Sequence, residues 1–141
     1  MSFGEATGTR RPNGAASCPC GSGARFSACC GPLLDGVAAE TAEQLMRSRY
    51  TAFALRDEPY LMRTWHPETR PRSVDLDPAT RWVGLTIERA RGGTDDNAGV
   101  VEFRARWRAG DTAGELHEVS RFERRRARWV YVDGVTDEKP L

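Results

Sequence analysis

Residues 41–53, TAEQLMRSRYTAF, carry the periodicity that decides the fold. Thr41, Ala42, Glu43 and Gln44 fit a capping box, in which a Thr and a Gln side chain satisfy free backbone N–H groups at a helix start. Beyond it, Ala42, Leu45, Met46, Arg49 and Phe53 fall on one helical face, so the segment predicts an amphipathic helix with an arginine inside its apolar stripe. Asp57 as cap and Pro59 in the first turn predict a second, short helix carrying Tyr60, Leu61, Met62 and Trp65. His66 precedes Pro67, which disfavours helical geometry, so this helix is expected to end near Trp65 and His66.

From residue 81 the period falls to two. Val83, Leu85 and Ile87 alternate with Trp82, Gly84, Thr86 and Glu88. After the turn-rich residues 92–97, Val101, Phe103, Ala105 and Trp107 alternate with Glu102, Arg104, Arg106 and Arg108. Residues 109–112 turn the chain, 115–123 form a third strand and 129–133 a fourth, joined by a turn over 124–128. Short connections between successive strands predict an antiparallel meander. Two helices followed by four strands define an α+β domain over residues 40–135, with the helices on one sheet face and a tail at 136–141.

The chain has 141 residues and a formal net charge of +1, so no global field draws it to nucleic acid or membrane. No apolar run approaches the roughly 18 residues of a membrane span. Residues 1–17, MSFGEATGTRRPNGAAS, lack the apolar stretch of a secretory signal and read as a disordered leader. A cytoplasmic location is therefore expected, where thiols stay reduced.

All four cysteines fall within residues 18–36: Cys18-Pro19-Cys20-Gly21-Ser22-Gly23, then Phe26, then Cys29-Cys30. Four thiolates suit a closed tetrahedral zinc site. Gly21 and Gly23 let the backbone fold around an ion, with their N–H groups and Arg25 placed to disperse the sulfur charge. Phe26 is the large apolar residue expected to pack this knuckle. An iron–sulfur cluster also takes four thiolates. Disulfides or simple free thiols are a third reading: a Cys29–Cys30 bridge would be strained and crossed pairs ill suit the compartment.

The Cys-Pro-Cys-Gly-Ser-Gly run with its closing Cys-Cys resembles the SEC-C motif, a zinc-binding element of the SecA translocation ATPase and many bacterial proteins. Residues 45–53, Tyr60-Leu61, Thr64-Trp65-His66-Pro67, Trp82-Val83-Gly84-Leu85, Ser120-Arg121-Phe122 and residues 129–134 resemble the YchJ-like family of uncharacterised bacterial proteins. The resemblance spans residues 18 to about 135. It implies a nuclear-transport-factor-two-like (cystatin-like) cone of helices on a curved sheet, with the knuckle beside an independently folding domain. It implies a metal but no reaction. Longer members carry a second cysteine-rich motif at the C-terminus, whereas here no cysteine follows Cys30. Domains of this fold often dimerise through the open sheet face, so a homodimer is an expectation.

In such a cone the late strands face the helices. Arg49 then needs a partner, because an unpaired buried charge costs several kcal/mol. Glu118 and Asp133 are the candidates, and Tyr50, Trp65, His66 and Ser120 share the space. An arginine, an acid and aromatics suit a small anionic ligand. The other reading is a structural ion pair fixing helix to sheet. No catalytic Ser-His-Asp or Cys-His pattern is present, and the cysteines are committed to the metal. Finally, Arg104, Arg106, Arg108, Arg121, Arg124, Arg125, Arg126 and Arg128 either gather into a basic sheet face for RNA or an acidic protein, or are neutralised by Glu102, Glu115 and Glu123. The function expected is a non-enzymatic interaction module contacting a protein or ribosomal partner through the knuckle. The alternative is an enzyme or ligand binder using the cavity around Arg49, His66, Glu118 and Asp133.

Overall fold

The first helix forms where the periodicity places it. In the computed structural model, which describes residues 10–141, it runs Ala42–Leu55, with Thr41 Oγ1 accepting from the Gln44 N–H at 3.1 Å. The return bond of the cap comes one residue earlier than expected: the Glu40 N–H donates to Gln44 Oε1 at 2.7 Å. The helix ends at Arg56, in the left-handed region at φ 57°. A shorter helix, Glu58–Arg63, follows under its Asp57 cap. It stops before Trp65 because the chain is recruited to the sheet: Tyr131 N–H donates to the Thr64 carbonyl and His66 N–H to the Tyr131 carbonyl, both at 2.8 Å. Ahead of both, a 3-10 turn, Phe26–Ala28, leads into the one-turn helix Cys30–Leu34. We label Cys30–Leu34 α1, Ala42–Leu55 α2 and Glu58–Arg63 α3.

The four strands β1 (Arg81–Arg91), β2 (Ala98–Ala109), β3 (Thr112–Arg125) and β4 (Arg128–Pro140) form one antiparallel sheet in the order β1-β2-β3-β4. Val101, Phe103, Ala105 and Phe122 turn inward onto Leu45, Met46, Tyr50 and Leu61. Strict alternation fails at three points in two strands, one of them between Ile87 and Arg89 of β1. In β1 the register slips between Trp82 and Gly84, so Trp82, Leu85 and Ile87 pack on the core while Val83 is exposed. In β4 it slips opposite Arg121 and Phe122, with Tyr131 across from Phe122 and Asp133 across from Arg121. Each slip is a bulge, in which an extra residue turns the rest of the strand over. β4 also runs on: residues 136–140, expected as a tail, pair with β3 as far as Gly114 and Pro140.

Residues 1–9 of the expected leader lie outside the described residues. Residues 10–17 are not a free leader, because they lie along the knuckle. Phe26 N–H donates to the Ala16 carbonyl at 2.8 Å, Ser17 bridges to Arg25, and Arg11 pairs with Asp35 at 2.8 Å. No described helix is long and apolar enough to cross a membrane.

Nor does the knuckle stand apart. Cys18, Cys20, Phe26, Cys30 and Leu34 belong to one continuous apolar core with α2 and the sheet. This explains why α2 buries Ser48, Thr51 and Ala52 outside its predicted stripe: it is covered by the sheet on one side and by the knuckle and α3 on the other.

The inner face of β4 is opened by Gly134, where any Cβ would collide with the Glu118 carboxylate. A Gly134→Ala substitution is therefore expected to lower stability by about 2 kcal/mol, the range of overpacking. Equilibrium urea unfolding checks this, and an unchanged midpoint would refute the tight approach.

Candidate metal centre and the cone cavity

The knuckle is wound by short backbone bonds. Gly21 N–H donates to the Cys18 carbonyl at 3.1 Å and Cys18 N–H to the Ala24 carbonyl at 2.9 Å, with Gly21 at φ 78° and Gly23 at φ 89°. Those positive φ values fall where side-chain-bearing residues are strained. The 3-10 turn then brings Cys29 and Cys30 back over Cys18 and Cys20. All four Sγ atoms lie within 4.8 Å of one another. Every cysteine is a free thiol, and Cys20 and Cys29 stand 3.6 Å apart, against about 2.05 Å for an S–S bond, so the disulfide reading is excluded.

The sulfurs are backed on several sides. Thr51 Oγ1 of α2 donates to Cys30 Sγ at 3.3 Å, and Ser22 Oγ meets Cys29 Sγ at 3.2 Å. Arg47 of α2 donates to the Cys20 carbonyl at 2.9 Å, with Nη1 3.9 Å from its sulfur. Sequence reasoning assigned this supporting role to Arg25 and missed Arg47, whose only local signal is its i,i+4 pairing with Glu43 at 3.0 Å. Without a cation the thiols cannot all ionise. Hydrogen bonds from Cys18 and Cys30 hold Cys20 far below the usual thiol range. Hydrogen bonding to Cys18 and to Cys20, and then burial, push Cys30 up, and burial raises Cys29 to about 11. Four sulfurs at this spacing in a largely buried nest fit a metal ion, which would let all four act as thiolates.

The second site is a cavity of about 220 Å³ between α2 and the sheet. Arg49, Tyr50, Trp65 and Glu118 line it as expected. Arg49 is buried but, among the described residues, makes no direct ion pair with a carboxylate. Its Nη1 donates to the Leu61 carbonyl at 2.9 Å and to Thr64 Oγ1 at 2.7 Å. The guanidinium carbon sits 4.8 Å from the Trp65 ring centroid and 4.6 Å from that of Tyr131. Burial lowers its pKa to about 10, opposed by Tyr131, Tyr60 and Glu118. Glu118 Oε2 instead accepts from Tyr131 Oη at 2.9 Å and Ser120 Oγ at 2.5 Å. Tyr131 thus touches both charges, and burial raises its own pKa well above the phenol range.

Two expected members lie elsewhere. Asp133 is turned outward by the β4 bulge and pairs with Arg121 at 2.7 Å. His66 faces Glu123 at 3.5 Å, and its Nδ1 accepts from the Glu68 N–H at 3.1 Å, as a turn residue does. Ser120 is buried behind Glu118. Tyr131, Phe53, Trp82 and Phe103 also line the cavity, with aliphatic groups of Met46, Ala105 and Leu116, and were missed as a group. The indole N–H of Trp65 is buried without a partner.

The arginine-rich sheet face is neutralised in large part. Arg104 pairs with Glu88 at 2.7 Å and Glu115 at 3.1 Å, Arg89 with Glu102 at 3.5 Å, and His117 with Glu102 at 2.7 Å.

If planar stacking carries Arg49, then Arg49→Lys should lower stability by about 2 kcal/mol despite keeping the charge, since lysine is a point charge without a stacking plane. Tyr131→Phe should lower it by about 1–2 kcal/mol through loss of a donor to buried Glu118. Urea unfolding of each variant measures both, and a lysine variant as stable as the parent would refute stacking.

A family model described as YchJ, middle NTF2-like domain, matches residues 41–134, and a SEC-C motif model matches residues 16–32. A UPF0225 protein of Streptomyces avermitilis is 55% identical, with 89% of this chain and 88% of that protein covered. One from Chromobacterium violaceum is 49% identical, covering 85% of this chain and 93% of the relative. The solution structure of a SEC-C motif containing protein from Rhodopseudomonas palustris superposes with a TM-score of 0.76 at 37% identity, covering 85% of this chain and 98% of that one. A crystal structure of a SEC-C motif containing protein from Psychrobacter arcticus gives 0.69 at 27% identity, covering 85% and 82%. With both segments matched and the fold shared, the chain belongs to the YchJ-like family of bacterial UPF0225 proteins, an NTF2-like α+β domain that carries a SEC-C motif.

Proposed function

We propose that this protein is a zinc-binding interaction module without catalytic activity, in which Cys18, Cys20, Cys29 and Cys30 hold one structural ion and the knuckle contacts a protein partner. The observation that carries this is the convergence of all four Sγ atoms within 4.8 Å. Thiolates at about 2.3 Å from a single tetrahedral zinc are about 3.8 Å apart. A polynuclear cluster shares its thiolates among several irons and spreads them wider. Four protein sulfurs complete a tetrahedral shell, leaving no position for substrate. The groups able to move protons are tied down or lie elsewhere: Glu118 is held by Ser120 and Tyr131, and His66 and His117 pair with Glu123 and Glu102 outside the cavity.

A second reading is favoured by one observation. The unpartnered Trp65 N–H and buried Arg49 border the same cavity, as a site for a small carboxylate would require. A thermal-shift screen of small carboxylates addresses it, and no stabilisation across the panel would count against it.

Elemental analysis should return one zinc per chain, lost in Cys20→Ser. Because knuckle and domain share a core, chelation should lower the single unfolding transition by more than about 10 °C, the equivalent of several kcal/mol. Protein without stoichiometric metal, or an unmoved transition, would refute the metal reading. A protein partner retained equally by loaded and stripped chains would refute the knuckle as contact.

A further inference from the structure

Beside α1 a groove of about 540 Å³ runs between the knuckle, the segment after α3 and the β3–β4 turn. Five arginines line it, Arg63, Arg70, Arg125, Arg126 and Arg128, and no carboxylate does. Among the described residues none of the five has an ion pair within 4.0 Å, unlike Arg104 and Arg121 on the sheet. Three are aimed by backbone carbonyls instead. Arg63 donates to Leu34 O at 2.7 Å and lies over the Tyr60 ring, Arg128 donates to Gly36 O at 3.2 Å, and Arg70 to Met62 O at 3.5 Å. The nearby acids are engaged elsewhere, Asp35 with Arg11 and Glu123 with His66.

The turn presenting three of these arginines is strained. Arg126 at φ 53° and Ala127 at φ 66° both lie in the left-handed region. Each costs roughly 1–2 kcal/mol for a residue bearing a Cβ, and turns of this kind favour Asn-Gly. Strain retained where a relaxed turn was available points to a use for the residues held there.

The floor selects the partner. It is aliphatic, with Leu33, Val37, Ala38 and Val130, and Val37 is 58% exposed. Three aromatic residues line the groove; two are buried, and the third, half-buried Trp65, has the Arg49 guanidinium over its ring at 4.8 Å, which leaves little open face for stacking bases. Trp129 is 2% exposed beneath Arg124, and Tyr60 is 3% exposed beneath Arg63. Single-stranded nucleic acid binding relies on such open faces. An arginine rim over an aliphatic floor matches a peptide that alternates carboxylates with branched apolar side chains.

We propose that this groove binds an acidic, Leu- or Val-bearing peptide segment of a partner protein. The inference deepens the interaction-module reading, and it rests on that reading only in that the metal-held α1 supplies one wall.

Fluorescence anisotropy on the metal-loaded full chain tests it, with a labelled twelve-residue peptide of Asp, Glu and Leu. The probes for comparison are its Lys-for-acid counterpart and a twelve-nucleotide single-stranded RNA. Saturable binding of the acidic peptide is expected. It should weaken at least about tenfold in the Arg126→Glu, Arg128→Glu double variant and stay unchanged in Arg108→Ala on the opposite sheet face. Circular dichroism verifies that the variants stay folded. No binding by the loaded protein, equal binding by the double variant, or tighter binding of the RNA overturns the proposal. The zinc stoichiometry remains a separate test of the reading beneath it. Binding that survives chelation supports the groove and removes only the knuckle's share in it.

Discussion

The thiol cluster is pressed against the middle of α2, and the rest of the molecule is organised by that contact. Thr51 donates to Cys30, and Arg47 reaches the Cys20 carbonyl. A helix with one apolar stripe can satisfy a single sheet face. α2 is buried on its second side as well, and the small residues Ser48, Thr51 and Ala52 there admit the knuckle and α3. An ion held by the four sulfurs would be coupled to folding through this shared core. A short segment of this size has too little apolar surface to order itself alone, and the helix supplies part of what it lacks.

On the sheet side of α2, charge is handled by delocalisation. A buried guanidinium with a carboxylate in the same cavity invites a direct ion pair, yet desolvating both groups offsets much of the Coulomb gain. Here Arg49 spends its charge on two ring faces and on carbonyl and hydroxyl acceptors, while Glu118 is solvated by two hydroxyls. Tyr131 is shared by both halves, its ring under Arg49 and its hydroxyl on Glu118. Gly134 leaves the room that the Glu118 carboxylate occupies. The cavity's polarity is thereby largely consumed within the protein, and the Trp65 N–H is the exception.

The helix caps, the meander and the thiol cluster were legible because each rests on local chemistry: a Thr–Gln pair at a helix start, period-two alternation, four cysteines in a short span. What escaped was governed by bulges and by contacts distant in sequence. Alternation through Trp129, Tyr131 and Asp133 puts all three on one face, and the extra residue in β4 breaks that inference after Tyr131. Asp133 therefore faces outward although unbroken alternation places it in the cavity. Val83 and Trp82 exchanged faces in β1 for the same reason. Arg47 could not be recognised as a neighbour of Cys20, because the two lie 27 positions apart and no periodic signal links them.

A net charge of +1 conceals how the arginines are divided. On the outer sheet face, alternation sets Arg104 across from His117 and beside Glu88 and Glu115, so cross-strand geometry neutralises it. The β3–β4 turn lies beyond the last carboxylate of the strands and escapes that pairing. Its arginines share a groove with Arg63 and Arg70, which are held by carbonyl groups that orient the guanidinium without discharging it. With almost no net charge, the molecule projects little field beyond the Debye length of about 8 Å in physiological salt. Attraction to this groove is therefore a short-range matter. Selectivity has to come from fitting carboxylates and aliphatic groups together, and charge alone would recruit polyanions of any kind.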